Sequence, residues 1–374
     1  MNILQLTAHF SPNIGGVETH LQDLVDGLVE KKNKVTVLTY QPLSTDISAT
    51  WLEHKLNTTI IRLPWIRGWF YRLVESPILE FIYLFPGLFV VFPFVLVRKK
   101  IDVIHAHGLV AASVAIFWKI IFPKRVVVST HSLYHFPKTG IYRNFVKLIL
   151  AQADCCLCLS KKSVEELVRL GIQPTKIKQF VYWIDTSLFK PISFGNCKQM
   201  LQLEKKFVVL FVGRLVKEKG VGILLQAFKT LRKPVVLIVA GDGPMRDEVI
   251  TMAQKYQTIR FAGRLSGKEL VNYYNASDLL IVPSIHEEGF GRVILESLAS
   301  GTPVVGSNRG SITEALDLSV GRLIDVSVAN IKKEVTYLKN HPDVLKKLKQ
   351  NTRSFAVRRY SKRNLQTILK TYDN

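Results

Sequence analysis

The sequence predicts an α/β protein with two doubly wound parallel-sheet domains that face a cleft. Three observations predict this class. Apolar, strand-like runs alternate with helical patterns from one end of the chain to the other. The alternation weakens once, at residues 185–206, and then restarts in the same form. The length of 374 residues is about 2.5 times that of a typical domain of roughly 150 residues, which favours two cores over one.

The amino-terminal half contains five strand patterns, and helix-length segments separate them. The strand patterns cover residues 3–7, 35–39, 103–105, 126–130 and 155–160, and the first helix covers residues 17–31. In doubly wound sheets, ligands bind beyond the carboxyl ends of the strands. We therefore expect the functional residues on loops that directly follow strands.

The carboxy-terminal half repeats the pattern, with strands at residues 208–212, 235–240, 279–283 and 304–307. Residues 185–206 contain Pro191 and Gly195 and have weak periodicity, which is typical of a linker. We predict an amino-terminal domain over residues 1–190 and a carboxy-terminal domain over residues 191–360. Residues 361–374 have the apolar spacing of a last helix, and we expect it to pack back toward the first domain.

Charge and cysteine content indicate the partners and the compartment. Lysine and arginine total 51 against 29 acidic residues, a formal net charge of +22, which favours nucleotides, nucleic acid or acidic lipid as partners. Three of the four cysteines lie within the apolar residues 155–158, which predicts buried thiols and not disulfides or zinc ligands. The amino terminus has no secretion-signal pattern. We expect a cytoplasmic protein, peripheral on the cytosolic membrane face.

Residues 78–97 are almost continuously apolar and are flanked by arginine and lysine. The stretch is long enough to span a bilayer. Spanning would place the strands before and after it on opposite sides of the membrane and would forbid a single sheet. We therefore predict a segment that lies on the membrane surface, with its basic flanks at the headgroups. The alternative is a pair of helices buried against the sheet.

Two loops have the composition of a phosphate site. Gly15 and Gly16 follow the first strand and open a helix, where glycines let backbone amides approach an anion closely. Arg214 and Lys219 follow the strand at residues 208–212, and they offer a planar fork and a point charge to phosphate oxygens. The glycine pair is a candidate phosphate cradle, and a diphosphate fits the basic loop. Plain turn chemistry also explains the glycine pair, because the dinucleotide fingerprint is absent.

Glu288 and Glu296 follow another strand and lie eight residues apart. Within a helix their backbones would be about 12 Å apart. The carboxyl groups of a glycosidase pair are closer, at roughly 5 to 9.5 Å. The spacing suits the two ends of an elongated polyhydroxyl ligand, and the amides of residues 289–291, at a helix start, can meet further oxygens.

In these motifs the chain resembles the GT-B glycosyltransferases of family 4 over nearly its whole length. Residues 288–296 match the Glu-x7-Glu signature of that family, and other landmarks match in order at residues 15–18, 213–220, 241–244 and 299–305. The resemblance implies two Rossmann-like domains, of which the first binds the acceptor and the second a nucleotide-diphosphate sugar. It also implies a product that retains the anomeric configuration of the donor. Residues 9–20 and 130–136 resemble the subgroup that glycosylates phosphatidylinositol.

The resemblance also implies a role for each matched residue. Arg214 and Lys219 would neutralise the leaving diphosphate. Glu288 would hold the transferred sugar, and Glu296 would accept hydrogen bonds from the ribose. His131 would orient the groups beside the scissile bond, and the glycine pair would close on the diphosphate. The implied catalytic set is His131, Glu288, Arg214 and Lys219, and the implied donor-binding set is Gly15, Gly16, Arg214, Lys219, Leu265, Glu288, Gly289, Phe290, Gly291 and Glu296.

The predicted reaction moves a sugar from a UDP- or GDP-linked donor to a lipid-linked or membrane-associated acceptor, without a bound metal or other cofactor. Expected partners are the nucleotide-sugar donor, a lipid-linked or glycan acceptor and an anionic membrane surface. We expect His105 to be structural and His107 to lie beside the cleft. One alternative is a soluble transferase that forms a disaccharide or polysaccharide, and another is an inactive scaffold. A nucleic-acid-binding protein is disfavoured because a recognition-helix signature and an aromatic stacking motif are absent.

Overall fold

Two parallel β-sheets, each inside its own unit, organise the chain. The computed structural model describes residues 1–13, 15–43, 47–64, 77–131 and 136–373. One unit comprises Met1–Val181 and Asn364–Asn374, and the other comprises Tyr182–Arg363. The boundaries thus fall after residues 181 and 363, where the sequence suggested 190 and 360.

The first unit has an eight-stranded sheet in the order β3-β4-β2-β1-β5-β6-β7-β8. All neighbouring strands are parallel except β3, which runs antiparallel to β4. Most central strands are continuous buried runs, as expected for parallel strands between helical layers. The strands are β1 (Asn2–Thr7), β2 (Lys34–Tyr40), β3 (Leu52–Lys55), β4 (Thr58–Leu63), β5 (Val103–His107), β6 (Arg125–Thr130), β7 (Cys155–Cys158) and β8 (Ile177–Gln179). The helices are α1 (Gly16–Glu30), α2 (Pro77–Lys99), α3 (Leu109–Lys119), α4 (Ile141–Ala151), α5 (Lys161–Leu170) and the last helix of the chain, α14 (Leu365–Asp373).

The second unit has a six-stranded, all-parallel sheet in the order β11-β10-β9-β12-β13-β14. This is the doubly wound order, in which strands are added to one side of β9 up to β11 and to its other side from β12 onward, so that the strand order reverses between β9 and β12. The strands are β9 (Phe207–Val212), β10 (Val235–Ala240), β11 (Ile259–Gly263), β12 (Leu279–Val282), β13 (Val304–Ser307) and β14 (Gly321–Ile324). The helices are α6 (Phe194–Met200), α7 (Val221–Lys229), α8 (Arg246–Lys255), α9 (Gly267–Ala276), α10 (Arg292–Ala299), α11 (Ile312–Ala315), α12 (Val328–Asn340) and α13 (Pro342–Arg359).

The predicted linker at residues 185–206 is not irregular throughout, because it contains α6. Ser193 caps this helix by accepting a hydrogen bond from the Asn196 amide. Lys198 on α6 is buried and forms an ion pair with Asp278 at 2.7 Å between Nζ and Oδ2. The linker is therefore partly built into the second unit. The four cysteines are free and buried, as predicted.

One helix in the described part of the chain, α2, is long and apolar enough to cross a membrane. Its two ends connect β4 and β5, which belong to the same sheet. Leu84, Leu88 and Phe92, spaced four residues apart, are buried in the core of the first unit. The helix therefore packs against the core of the first unit, and 22% of its most apolar 18-residue stretch is buried.

Candidate functional site

The second unit places two of its predicted functional loops side by side. The loop after β9 and the loop after β12 follow adjacent strands at the point where the strand order reverses. Two glycines allow close packing here, Gly220 between these two loops and Gly241 between the loop after β10 and the loop after β9. Gly220, with φ of 72°, leaves no room for a Cβ beside the carbonyl oxygen of Pro283, and Gly241, with φ of 145°, leaves none beside that of Gly213. The Ile285 amide also donates to the Glu218 carbonyl over 2.9 Å.

Lys219 and Glu288, which are 69 residues apart in the sequence, meet at this point. Lys219 Nζ lies 2.7 Å from Glu288 Oε1, and the Ser284 hydroxyl donates to the same oxygen. Glu288 is buried, with 9% of its side chain exposed, whereas Lys219 is 27% exposed. Gly310, with φ of 54°, packs against the backbone of Glu288. The Ser311 amide donates a hydrogen bond to the Glu288 carbonyl over 3.3 Å. The structure thus holds a cation and a carboxylate in contact at the switch point.

The remaining predicted residues of these loops lie around the pair. Arg214 is exposed on the loop that carries Lys219. Gly289 is half-buried, and Gly291, with φ of 70°, directly precedes α10. Leu265 follows β11, an edge strand that is two places from β9. The structure therefore groups the loop residues at the switch point and places Leu265 on a different part of the sheet edge.

Glu296 lies inside α10 and is buried with both carboxylate oxygens engaged. Arg292 Nε donates to Oε1 and the Tyr274 hydroxyl donates to Oε2, each over 3.0 Å. Burial, reinforced by the Glu296 carboxylate, raises the pKa of Tyr274 well above its usual value. Phe290 is also buried, with its ring against Tyr182 and Tyr360. Only the backbone of Phe290 is therefore left for a ligand, and the sequence had pointed to the amides of residues 289–291 without indicating that the Phe290 ring is buried.

In the first unit, the glycine pair is at the start of α1. Gly15 is extended, with φ of 175°, and Gly16 is the first helical residue. Thr19 contacts Gly15 twice, because its amide and its hydroxyl both donate to the Gly15 carbonyl. The Glu18 carboxylate folds over Gly15, at a place where a Cβ would clash with it. The glycine thus permits a close approach, and here the acidic side chain of the same helix makes it.

His131 directly follows β6 and belongs to a group of histidines in the first unit. Its Nε2 lies 2.9 Å from Nδ1 of His107, and its ring centroid lies 6.0 Å from that of His20 on α1. The rings of His105 and His107 lie 4.1 Å apart, because residues two apart on a strand share a face. The side chains of His105 and His107 therefore share one face of β5. Burial lowers the pKa of His131 to about 4 and that of His105 to about 3.

Ser284 and Tyr274 are site residues that sequence reasoning missed. Ser284 lies two residues after the end of β12, so its position was a usable signal, and a serine hydroxyl can bind a carboxylate. Tyr274 comes from α9 and contacts Glu296 only through the fold, so the sequence held no comparable signal. Within the described ranges, no group of three or more histidine, cysteine, aspartate or glutamate side chains is arranged to hold a metal ion.

Two family models match the chain, one over most of each half. Glycosyltransferase Family 4 matches residues 14–188, and Glycosyl transferases group 1 matches residues 196–355. Together with two Rossmann-like sheets, these matches define a glycosyltransferase of the GT-B fold. The chain belongs to the family 4, group 1 glycosyltransferases.

Similar proteins include a glycosyltransferase and part of a lipid-modifying enzyme. The chain is 28% identical to an uncharacterised glycosyltransferase of Methanocaldococcus jannaschii over 340 residues, which cover 84% of this chain and 83% of the relative. It is 26% identical to one subunit of the phosphatidylinositol N-acetylglucosaminyltransferase of Arabidopsis thaliana over 330 residues, which cover 84% of this chain and 69% of the relative.

Solved structures with the same fold include two of bacterial proteins. HepE of Anabaena, solved in complex with UDP, has a TM-score of 0.77 and 21% identity, with 99% of each chain covered. Sucrose-phosphate synthase of Thermosynechococcus elongatus has a TM-score of 0.83 and 21% identity, with 99% of this chain and 98% of the other covered. These likenesses define the fold.

Proposed function

We propose that this protein is a retaining glycosyltransferase that moves a sugar from a UDP- or GDP-linked donor to a lipid-linked or membrane-associated acceptor. The contact between Lys219 and Glu288 carries the proposal. In a nucleotide sugar, the diphosphate is bonded to the sugar, so a cation and a carboxylate in contact match two neighbouring parts of one donor. The complexes of HepE with UDP and with UDP-glucose support a donor of this class.

The proposed reaction forms one bond and breaks one. The acceptor hydroxyl oxygen attacks the anomeric carbon on the face from which the diphosphate leaves. The bond between that carbon and the diphosphate oxygen breaks, and the hydroxyl proton passes to the departing phosphate. Lys219 and Arg214 stabilise the charge that develops on the phosphate. Glu288 accepts hydrogen bonds from the sugar, His131 orients the reacting groups, and the reaction uses no metal or other cofactor.

Glu296 suits the proposed ribose contact because its carboxylate is already fixed. Arg292 and Tyr274 each bond one oxygen. A carboxylate accepts hydrogen bonds and does not donate them, so a ribose hydroxyl would donate to it. The glycines at positions 289 and 291 and the backbone of Phe290 lie between this carboxylate and Glu288 in the sequence, and we assign their amides to the donor.

The acceptor half of the proposal is supported by the outer face of α2. One side of this helix packs into the core, but Ile82, Phe94 and Val97 are 62%, 71% and 65% exposed. Large apolar side chains in such a row are costly in water and stable in the interface of a bilayer. We infer that α2 packs one side against the core of its unit and lays its other side on the membrane surface. This combines the membrane-surface segment and the buried helices that the sequence left as alternatives.

The apolar face continues onto two neighbouring helices. Phe81 on α2 contacts Phe145 on α4, with ring centroids 5.6 Å apart, and Phe89 on α2 contacts Phe117 on α3 at 4.8 Å. Residues 77–151 carry nine lysines and arginines against two acidic residues. This balance favours anionic headgroups. The exposed apolar residues of this membrane face are Ile78, Leu79, Ile82, Val90, Phe94, Val97, Phe117, Ile120, Ile121, Ile141, Tyr142, Phe145 and Leu148.

The relatives named as subunits of phosphatidylinositol N-acetylglucosaminyltransferases support a lipid acceptor for this chain. We propose that the reaction takes place on the cytosolic side of the membrane. A soluble transferase is the second candidate, and the likeness to sucrose-phosphate synthase favours it. Flotation with vesicles separates the two. We expect the protein to float with phosphatidylglycerol vesicles at low salt and less with phosphatidylcholine vesicles. Recovery of all the protein in the soluble fraction with both would favour the soluble transferase.

The donor is tested by thermal unfolding with UDP, GDP and their sugars. A nucleotide at 100 times its dissociation constant should stabilise the protein by about 2.7 kcal/mol. We expect one base to raise the melting temperature and the other not, with adenosine diphosphate as a control for charge alone. An equal response to all three diphosphates would show unspecific anion binding and would contradict a dedicated nucleotide site.

A further inference from the structure

A chain of hydrogen bonds runs from His131 into the interior of the first unit. His131 Nε2 lies 2.9 Å from His107 Nδ1, and His107 Nε2 lies 2.7 Å from Gln5 Oε1. A carboxamide oxygen only accepts, so His107 carries its hydrogen on Nε2. Burial lowers the pKa of His107 well below its usual value, so the ring is neutral and its Nδ1 accepts. His131 therefore donates from its own Nε2.

The last helix sets the orientation of the Gln5 amide. Gln5 Nε2 donates to the Tyr372 hydroxyl oxygen over 3.3 Å. That hydroxyl lies 2.7 Å from Nδ1 of His105, whose Nε2 lies 2.7 Å from the Ser129 hydroxyl. Because the Tyr372 oxygen accepts from Gln5, its hydrogen is directed to His105, which then donates from Nε2 to Ser129. All donors point in one direction, an arrangement in which each bond strengthens the next.

The fold holds Tyr372 firmly in this place. Its side chain is 3% exposed, and its ring meets that of His105 edge-on at 5.6 Å. The carbonyl of the preceding residue, Thr371, accepts a hydrogen bond of 2.6 Å from Arg125 Nε at the start of β6. The end of the chain is therefore fastened to the strand that leads to His131.

We propose that Tyr372 is a positioning residue for His131. Acting through Gln5 and His107, it keeps the His131 imidazole in the tautomer that has its hydrogen on Nε2 and its acceptor lone pair on Nδ1. An acceptor nitrogen suits a sugar hydroxyl, whereas the opposite tautomer would present a donor. The catalytic consequence rests on the proposed function, but the tautomer itself does not.

The tautomer is measured directly on the whole protein. Long-range ¹H–¹⁵N spectra of histidine-labelled protein distinguish the two neutral forms of each imidazole. We expect His131 to carry its hydrogen on Nε2 at neutral pH, and to become a mixture of both forms in Tyr372→Phe. A hydrogen on Nδ1 in the unchanged protein, or an unchanged tautomer in the variant, would overturn the proposal.

Turnover supplies a second measurement. Tyr372→Phe should lower kcat about tenfold, the effect of one buried hydrogen bond, with the donor KM changed less than about twofold. Tyr40→Phe is the matched control, because the Tyr40 hydroxyl is also buried but donates to the Leu84 carbonyl and not to the histidine chain. Equal losses of kcat in both variants would point to general destabilisation and would contradict a positioning role.

A second variant covers the case in which Tyr372→Phe does not fold. Gln5→Met keeps the shape of the side chain but removes the amide, and it should lower kcat by a similar factor. Combined with Tyr372→Phe it should cause no further loss, since both interrupt one chain. Additive losses would refute the chain. If His131→Ala leaves turnover unchanged, the proposed role of His131 fails, whereas the tautomer measurement is unaffected.

Discussion

Replacing Lys219 by methionine tests the proposed donor site most directly. In the structure, Lys219 Nζ lies 2.7 Å from a carboxylate oxygen, a distance it can also keep to a phosphate oxygen. If about half a charge develops on the diphosphate at that distance, an effective dielectric constant of about 20 gives about 3 kcal/mol of barrier stabilisation. We therefore expect kcat to fall about 200-fold. Release of the nucleoside diphosphate from the donor, followed with and without acceptor, measures this.

Lys217→Met is the matched control, because Lys217 lies in the same short turn, is exposed and has no assigned role. It should change kcat less than about twofold. Glu288 keeps its hydrogen bond from Ser284 when Lys219 is replaced, so the fold should persist, and circular dichroism would verify this. Turnover unchanged in Lys219→Met, or an equal loss in Lys217→Met, would refute the assignment of this lysine to the leaving diphosphate.

Three further predictions concern the membrane face, the loop packing and the pH dependence of stability. Phe94→Glu should weaken binding to anionic vesicles tenfold or more, because an inserted phenylalanine contributes about 1.5–3 kcal/mol. The control Leu318→Glu, at a 78% exposed position in the second unit, should not weaken binding. Equal flotation of both variants would exclude α2 as an anchor. Gly220→Ala should lower the free energy of unfolding by more than about 2 kcal/mol. The control Gly195→Ala, where an added Cβ would have no atom of another residue within 4 Å, should not. Urea unfolding of the two variants compares these free energies. Burial lowers the pKa of His105 from 6.5 to about 3. As the pH falls, His105 in the unfolded chain therefore takes up a proton before His105 in the folded protein does. The free energy of unfolding is highest above pH 6.5 and declines as the pH falls from 6.5 toward 3. Urea midpoints that stay constant from pH 7 to pH 5 would contradict a neutral histidine cluster.

Most central strands were predictable because parallel strands covered on both faces are continuous apolar runs. The sequence patterns at residues 3–7, 126–130 and 235–240 lie within β1, β6 and β10. Five strands were missed. The edge strands β3, β8, β11 and β14 are short and half-exposed and carry no such run, and the interior strand β4 begins with two threonines and alternates buried with half-buried residues. The linker prediction failed over α6 for a related reason. Its buried residues are anchored by partners distant in sequence, such as Asp278 for Lys198.

The site residues were predictable as types and positions, but their surroundings were not. The glycine pair, the basic loop and Glu288 lie on segments that follow strands, which sequence patterns locate well, and Glu296 lies on the helix that follows one of these segments. The contact between Lys219 and Glu288 depends on β9 and β12 being neighbours, which is a property of the sheet order. The burial of Phe290 among aromatic rings is likewise a result of packing.

Local pattern alone determined that this chain folds into two parallel-sheet units, and it located the loops after the strands to which we assign anion binding. Strand periodicity, glycine placement and charge act over a few residues, so they can be read without knowing the fold. Only the tertiary structure decided which distant groups meet: the outward face of α2, the shared oxygen of Glu288, and Tyr372 beside the histidines of β5. Such contacts are made by packing between elements far apart in sequence, and no local periodicity encodes them.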